Sequence, residues 1–260
     1  MLGCASCTLI FLEPNPFTIK KIIFTALLSI AVWIIYATDH LVDSFVFKGK
    51  SGILRHDFHY RYRYFFITVI LFLAILEVWV AIKLKNELFV KNAFYLSMIM
   101  PVYFVLKFLK FLNSIIKMLF VSAVFSAAVV LLFNSKNLFF DFFSFEVLAM
   151  MLLALLNQLV LEHFENRDIK YAQNYFSVIA FKVFLWLSVV LILISILNLY
   201  AIPYTLSVFM SALSIFNILK REEFFTKNLL YRFWADFSLV LIFPLLKLFL
   251  FIQSFLTNLL

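Results

Sequence analysis

Three glycines, five prolines and two cysteines are all that this chain of 260 residues contains of those types, and Asp, Glu, Lys and Arg together make up only 14% of it. Each shortage excludes something. So few glycines cannot build a phosphate-cradling loop, a dinucleotide fingerprint or a nucleophile elbow. They also leave little material for GxxxG contacts between helices, so packing is expected to rest on interleaved Phe and Leu. Scarce Gly and Pro speak against the unwound mid-membrane segments from which transporters build their binding sites. Cys4 and Cys7 form a lone CxxC with no partner ligands nearby, which argues against a structural zinc site. Leu2-Gly3-Cys4 resembles a lipoprotein cleavage box, but no hydrophobic segment precedes it.

What is present is hydrocarbon. Hydrophobic residues make up 65% of the chain, including 36 Phe, and the mean hydropathy is +1.06. A soluble domain is about half apolar and about a quarter charged, so much of this chain must have the bilayer as its solvent. A span needs about 20 apolar residues. Such runs are predicted at 18–38, 64–84, 88–108, 115–133, 139–161, 174–198, 202–219 and 233–257. The expected fold is therefore an all-α polytopic transmembrane helix bundle of about eight helices. It forms a single integral membrane domain over 1–260, with 1–16 a short segment closed by Glu13-Pro14-Asn15-Pro16.

The basic residues orient it. Loops after odd-numbered spans hold fifteen Lys and Arg, among them Lys48, Arg55, Arg61, Lys107, Lys117, Arg167 and Arg232, against seven on the other side. The positive-inside rule then puts those loops in the cytoplasm. The net charge of +8 follows from this placement of basic residues at the ends of apolar runs, and does not signal nucleic acid. A cell inner (cytoplasmic) membrane is the expected location.

Two acidic clusters stand out. Asp39 and Asp43 are four residues apart, so a continuing helix sets both carboxylates on one face, with Cβ atoms about 5–6 Å apart. Like charges held together at a membrane boundary are costly, and a divalent cation removes the cost. Magnesium suits such a place, because it prefers one or two carboxylates together with phosphate oxygens. Glu162, Glu165 and Asp168, spaced three apart, share a face in the same way, with Gln158 a turn before. Tyr103, Lys107, Lys110, Asn113 and Lys117 form a basic stripe between the third and fourth spans, suited to lipid headgroups or to an anionic ligand. His40, His56, His59 and His163 belong to the two clusters, yet no HxxxH or HExxH spacing supports zinc. Glu77 is the one acid expected deep in a span.

This arrangement resembles the UbiA superfamily of intramembrane prenyltransferases. The family's first motif, NxxxDxxxD followed by a loop Arg-Pro, is matched by Asp39, Asp43 and Arg55, with Ile35 and His56 at the Asn and Pro positions. Tyr103-Phe104-Val105-Leu106-Lys107 resembles its Tyr-x-x-x-Lys, and Glu162, Glu165 and Asp168 stand for its second acidic motif. The resemblance implies the family's helical fold without its first helix, and an enzyme transferring a prenyl group from a polyprenyl diphosphate to a lipophilic acceptor. It further implies Mg2+ on Asp39, Asp43, Glu162, Glu165 and Asp168. Arg55 and Lys107 would stabilise the departing diphosphate, and Tyr103 and Lys110 would contribute to donor binding. The alternative is a degenerate relative, or an unrelated multi-pass protein with a lipid-binding or structural role. A transporter is a third class, supported only by Glu77.

Overall fold

Each predicted span contains a helix. The computed structural model describes residues 19–46, 54–85, 87–108, 113–134, 144–165, 170–197, 202–226 and 230–259, and no strand occurs among them. Helix α1 is Ile19–Val46, α2 Leu54–Arg61, α3 Arg63–Lys83, α4 Leu88–Ser97, α5 Ile99–Phe108 and α6 Ser114–Asn134. They are followed by α7 Phe145–Glu165, α8 Lys170–Leu197, α9 Ile202–Lys220, α10 Glu222–Thr226, α11 Leu230–Val240 and α12 Ile242–Leu259. Among the described residues, 7 stretches are long and apolar enough to cross a bilayer, with α4–α5 forming one and α11–α12 another. The remaining predicted span, 115–133, lies within α6, whose described apolar part is Ile115–Ala128. The chain is a polytopic all-α membrane protein.

Two features depart from the expected spans. First, α1 continues through Asp39 and Asp43 to Val46, and α7 continues through Glu162 to Glu165. An unbroken helix satisfies its own backbone groups, which matters more near hydrocarbon than the intrusion of a charge that finds a partner. Second, the third and last spans are interrupted, at Met98 and Leu241. Each break lies three residues before a proline. Pro101 and Pro244 have no N–H for the carbonyls of Ser97 and Val240, and their rings crowd those carbonyls. The helical ladder resumes at once: Met98 N–H donates to Phe94 O at 3.2 Å and Leu241 N–H to Phe237 O at 3.0 Å.

Contacts divide the chain into two compact units. The first holds α1 to α5 and the opening turn of α6 as far as Lys117; the second holds α6 from Met118 to Leu131 and α7 to α12. In the first unit α1 is the hub, packing against α2, α3 and α5. It buries Phe24, Leu28, Ala37 and Leu41, and Phe24 stacks on Phe89 of α4 with ring centroids 4.6 Å apart. Helix α3 buries no residue; Leu71, Phe72, Ile75 and Trp79 are exposed, a surface made for lipid.

In the second unit α7 is the hub, against α8, α9 and α11. Val147, Ala149, Met150, Leu153, Leu156, Leu159 and Val160 are buried around its circumference, as befits a central helix. The expected interleaving of Phe and Leu holds for part of this core, where Phe125, Phe164 and Phe176 are buried. Leu and Ile do fill the core, but Phe181, Phe224, Phe233, Phe251 and Phe255 face outward. Fully buried Ala149, Ala180, Ala212, Ala235, Ser207, Ser211 and Ser238 let the backbones approach. Ala and Ser thus take the place that glycine scarcity denied. The hydroxyls of Ser207 and Ser238 donate to the carbonyls of Pro203 and Trp234 at 2.6 and 2.7 Å, which lowers the cost of burying them.

Candidate functional site

The helix spacing of Asp39 and Asp43 places both carboxylates on the face of α1 that meets α5, and three further side chains close around them. Lys107 Nζ ion-pairs with Asp39 Oδ1 and lies 2.8 Å from Asp43 Oδ1. It also donates to the backbone carbonyl of Asp39 at 2.9 Å. Lys117 Nζ lies 3.3 Å from Asp39 Oδ2 and 3.3 Å from Asp43 Oδ2. Tyr103 donates its hydroxyl to Asp39 Oδ1 at 2.9 Å. Each ammonium therefore bridges both aspartates, one across the Oδ1 pair and one across the Oδ2 pair. Among the described residues, two positive charges face two negative ones.

The elements that place these groups follow from local sequence. Tyr103 and Lys107 are four apart on α5, one turn beyond the break that Pro101 enforces. Lys117 sits in the opening turn of α6, where Asn113 Oδ1 accepts the Ile116 N–H at 2.9 Å as an N-cap. A lysine in a first helical turn opposes the helix dipole, and two carboxylates offset that penalty. Lys107 is nearly sealed, with a side chain 7% exposed; the aspartates are at 17% and 15% and Lys117 at 31%.

Behind the carboxylates lies an aromatic and imidazole cluster joining α1, α2 and α3. Tyr36 meets the buried His40 edge-on at 4.2 Å. His40 and His59 have ring centroids 5.4 Å apart, and His59 stacks on Phe66 at 4.3 Å. One potential ligand atom from each of Asp39, His40 and Asp43 lies within 4.8 Å of the others. A group of that size is small enough to hold one cation. The adjacent positions 39 and 40 match no spaced zinc motif, so only the fold reveals the imidazole's place beside the carboxylates.

The structure thus brings Asp39, Asp43, Tyr103 and Lys107 together and adds Lys117, which the resemblance did not mark. A sequence signal for it existed: Asn113 caps the helix and Lys117 follows one turn later. Lys110 and Asp168 lie outside the described residues, as do the side chains of Arg55 and Glu165. Glu162 is half-buried on α7 in the second unit, where its neighbour His163 has Nε2 3.5 Å from Glu222 Oε2. Glu77 on α3 is half-buried against the backbone of Ala31 in α1. Comparison with family models, with curated proteins and with solved structures finds no match. The site therefore stands on its own geometry.

Proposed function

We propose that this protein is a UbiA-like membrane prenyltransferase whose first acidic site receives the head of a polyprenyl diphosphate. The supporting observation is the pair of bridging ammonium groups. Each occupies a position between two carboxylates that a bridging cation would take, so the donor set suits a cation, and the two lysines suit a phosphate. Asp39 and Asp43 would hold magnesium, the ion that favours carboxylate and phosphate oxygens; His40 is a nitrogen donor better suited to other metals. When bound, magnesium would supply Lewis-acid stabilisation of the leaving diphosphate.

The chain's own groups do the rest. Lys117 presents N–H donors to the phosphate oxygens as charge develops, Lys107 lends its positive charge while it holds both aspartates, and Tyr103 orients Asp39 through its hydroxyl. The bond between the allylic carbon and its oxygen breaks, and its electron pair leaves with the diphosphate. The allylic cation is held among aromatic faces until a lipophilic acceptor attacks it and loses a proton. Arg55 is assigned to the departing charge on its position in the motif, and the acidic residues Glu162, Glu165 and Asp168 to metal binding on the same ground. The site opens to the cytoplasmic side of the inner membrane in this reading.

The test uses purified protein and isotope-labelled prenyl diphosphates. Wild type should bind donor in a magnesium-dependent manner, and Asp39→Ala/Asp43→Ala should not. Equal binding by the two would sink the proposal. One observation favours a second reading, a non-catalytic bundle: among the described residues the cluster is already charge-balanced, as a structural joint between α1, α5 and the opening turn of α6 would be. That reading expects no magnesium dependence in wild type.

A further inference from the structure

Before anything binds, the charges of Asp39, Asp43, Lys107 and Lys117, the ion-paired groups of the cluster among the described residues, cancel. A divalent cation entering alone would leave an excess of two positive charges among side chains that are largely buried. A diphosphate entering alone would bring its negative charge against two aspartates. Together they nearly cancel, and unbalanced buried charge is what a low-dielectric site tolerates least.

The two lysines are not equivalent in this exchange. Lys107 is anchored by the Asp39 backbone carbonyl at 2.9 Å as well as by both carboxylates. Lys117 holds its two carboxylate oxygens at 3.3 Å each and is the most exposed member at 31%. Its ammonium is the one placed to withdraw.

We infer that Lys117 is a resident counter-ion. It yields Asp39 and Asp43 to a divalent cation only when a diphosphate arrives to receive its ammonium, so the site takes metal and anion as a pair and neither alone. This rests on the proposed diphosphate-binding role of the cluster. It makes Lys117 a gate on metal entry as well as a ligand for the anion.

The experiment measures Mn2+ uptake by electron paramagnetic resonance on the full chain in detergent micelles, with and without inorganic pyrophosphate. Wild type should take up Mn2+ only when pyrophosphate is present. Lys117→Met should bind Mn2+ alone more tightly than wild type, by at least about tenfold, while its binding of the Mn2+–pyrophosphate pair weakens by a similar factor. Lys117→Arg, which keeps the charge, should behave as wild type, and Lys117→Gln serves if the Met variant does not fold. A Lys117→Met protein with unchanged affinity for Mn2+ alone, in a background where wild type binds the pair, overturns the inference and leaves the diphosphate site standing. Failure of every folded variant to take up Mn2+ with pyrophosphate overturns both.

Discussion

Lys107→Met is the substitution that presses hardest on the cluster. The side chain is 7% exposed, and its ammonium serves three oxygens: Asp39 Oδ1, Asp43 Oδ1 at 2.8 Å and the Asp39 carbonyl at 2.9 Å. Methionine keeps most of the volume and removes the charge. Among the described residues, the two carboxylates then share Lys117 as their remaining ammonium, at 3.3 Å from each, and these groups carry a net negative charge. Removing one partner of a buried pair costs about 3–5 kcal/mol, because the other charge is left uncompensated.

Two companion measurements separate charge from packing. Asp39→Asn with Lys107→Met restores neutrality, so the double variant should be more stable than the sum of the single effects predicts, by about 1–3 kcal/mol. Magnesium should restabilise Lys107→Met, since a vacated bridging position admits a cation; at a concentration of about 100 Kd the gain is about 2.7 kcal/mol. Wild type should show no such gain from magnesium alone. Unfolding by sodium dodecyl sulfate in mixed micelles reads all of these. A loss below about 1 kcal/mol, the range of exposed ion pairs, or strict additivity in the double variant, refutes the picture of a buried, balanced cluster.

Four further outcomes are expected. Asn157 is 1% exposed and its Oδ1 has no hydrogen-bond partner, so Asn157→Leu should be neutral or stabilising by up to about 2 kcal/mol in the same unfolding assay. Ser238 donates to the Trp234 carbonyl, so Ser214 is the donor in the 2.8 Å bond between the two hydroxyls; a double-mutant cycle with alanine should give a coupling near 0.6 kcal/mol. Replacing Asp39, Asp43, Lys107 and Lys117 together by Leu or Met should leave a folded protein at least as stable as Lys107→Met alone, read by unfolding, while abolishing uptake of Mn2+ with pyrophosphate. With Cys4 and Cys7 changed to Ser, a membrane-impermeant maleimide should label Lys85→Cys from outside intact cells and Arg61→Cys only after permeabilisation.

The helices were legible because a bilayer demands long apolar runs, and such runs leave little choice of structure. Their ends were not. The first span was expected to end at 38, yet the continuing helix considered for the two aspartates is the one that forms: α1 carries Asp39 and Asp43 onward to Val46, and each carboxylate meets two ammonium groups that lie more than sixty residues away in sequence. The pairing of Tyr103 and Lys107 with Asp39 was visible only through the motif resemblance. The place of Lys117 depends on where α6 starts, and Asn113 as its cap was the available clue. Packing was legible in part: Leu and several Phe are buried as expected, whereas the fully buried Ala and Ser were not foreseen. The breaks at Met98 and Leu241 had their signal three residues downstream, in Pro101 and Pro244.

A joint made only to hold α1 against α5 and the opening turn of α6 up to Lys117, all within the first unit, has a cheaper solution than four charges. Apolar side chains of similar volume fill a buried ion-pair site with equal or greater stability, and this chain is 65% hydrophobic. The cluster also lacks the even closure that a lock would show. Exposure rises from 7% at Lys107 through 15% and 17% at the aspartates to 31% at Lys117. One face is sealed by Lys107 and by the hydroxyl of the fully buried Tyr103, and the other is guarded by a half-exposed amine on longer contacts. Such a gradient gives the carboxylates one sealed side and one more open side, which is what the proposed exchange of Lys117 for a metal ion arriving with its diphosphate requires.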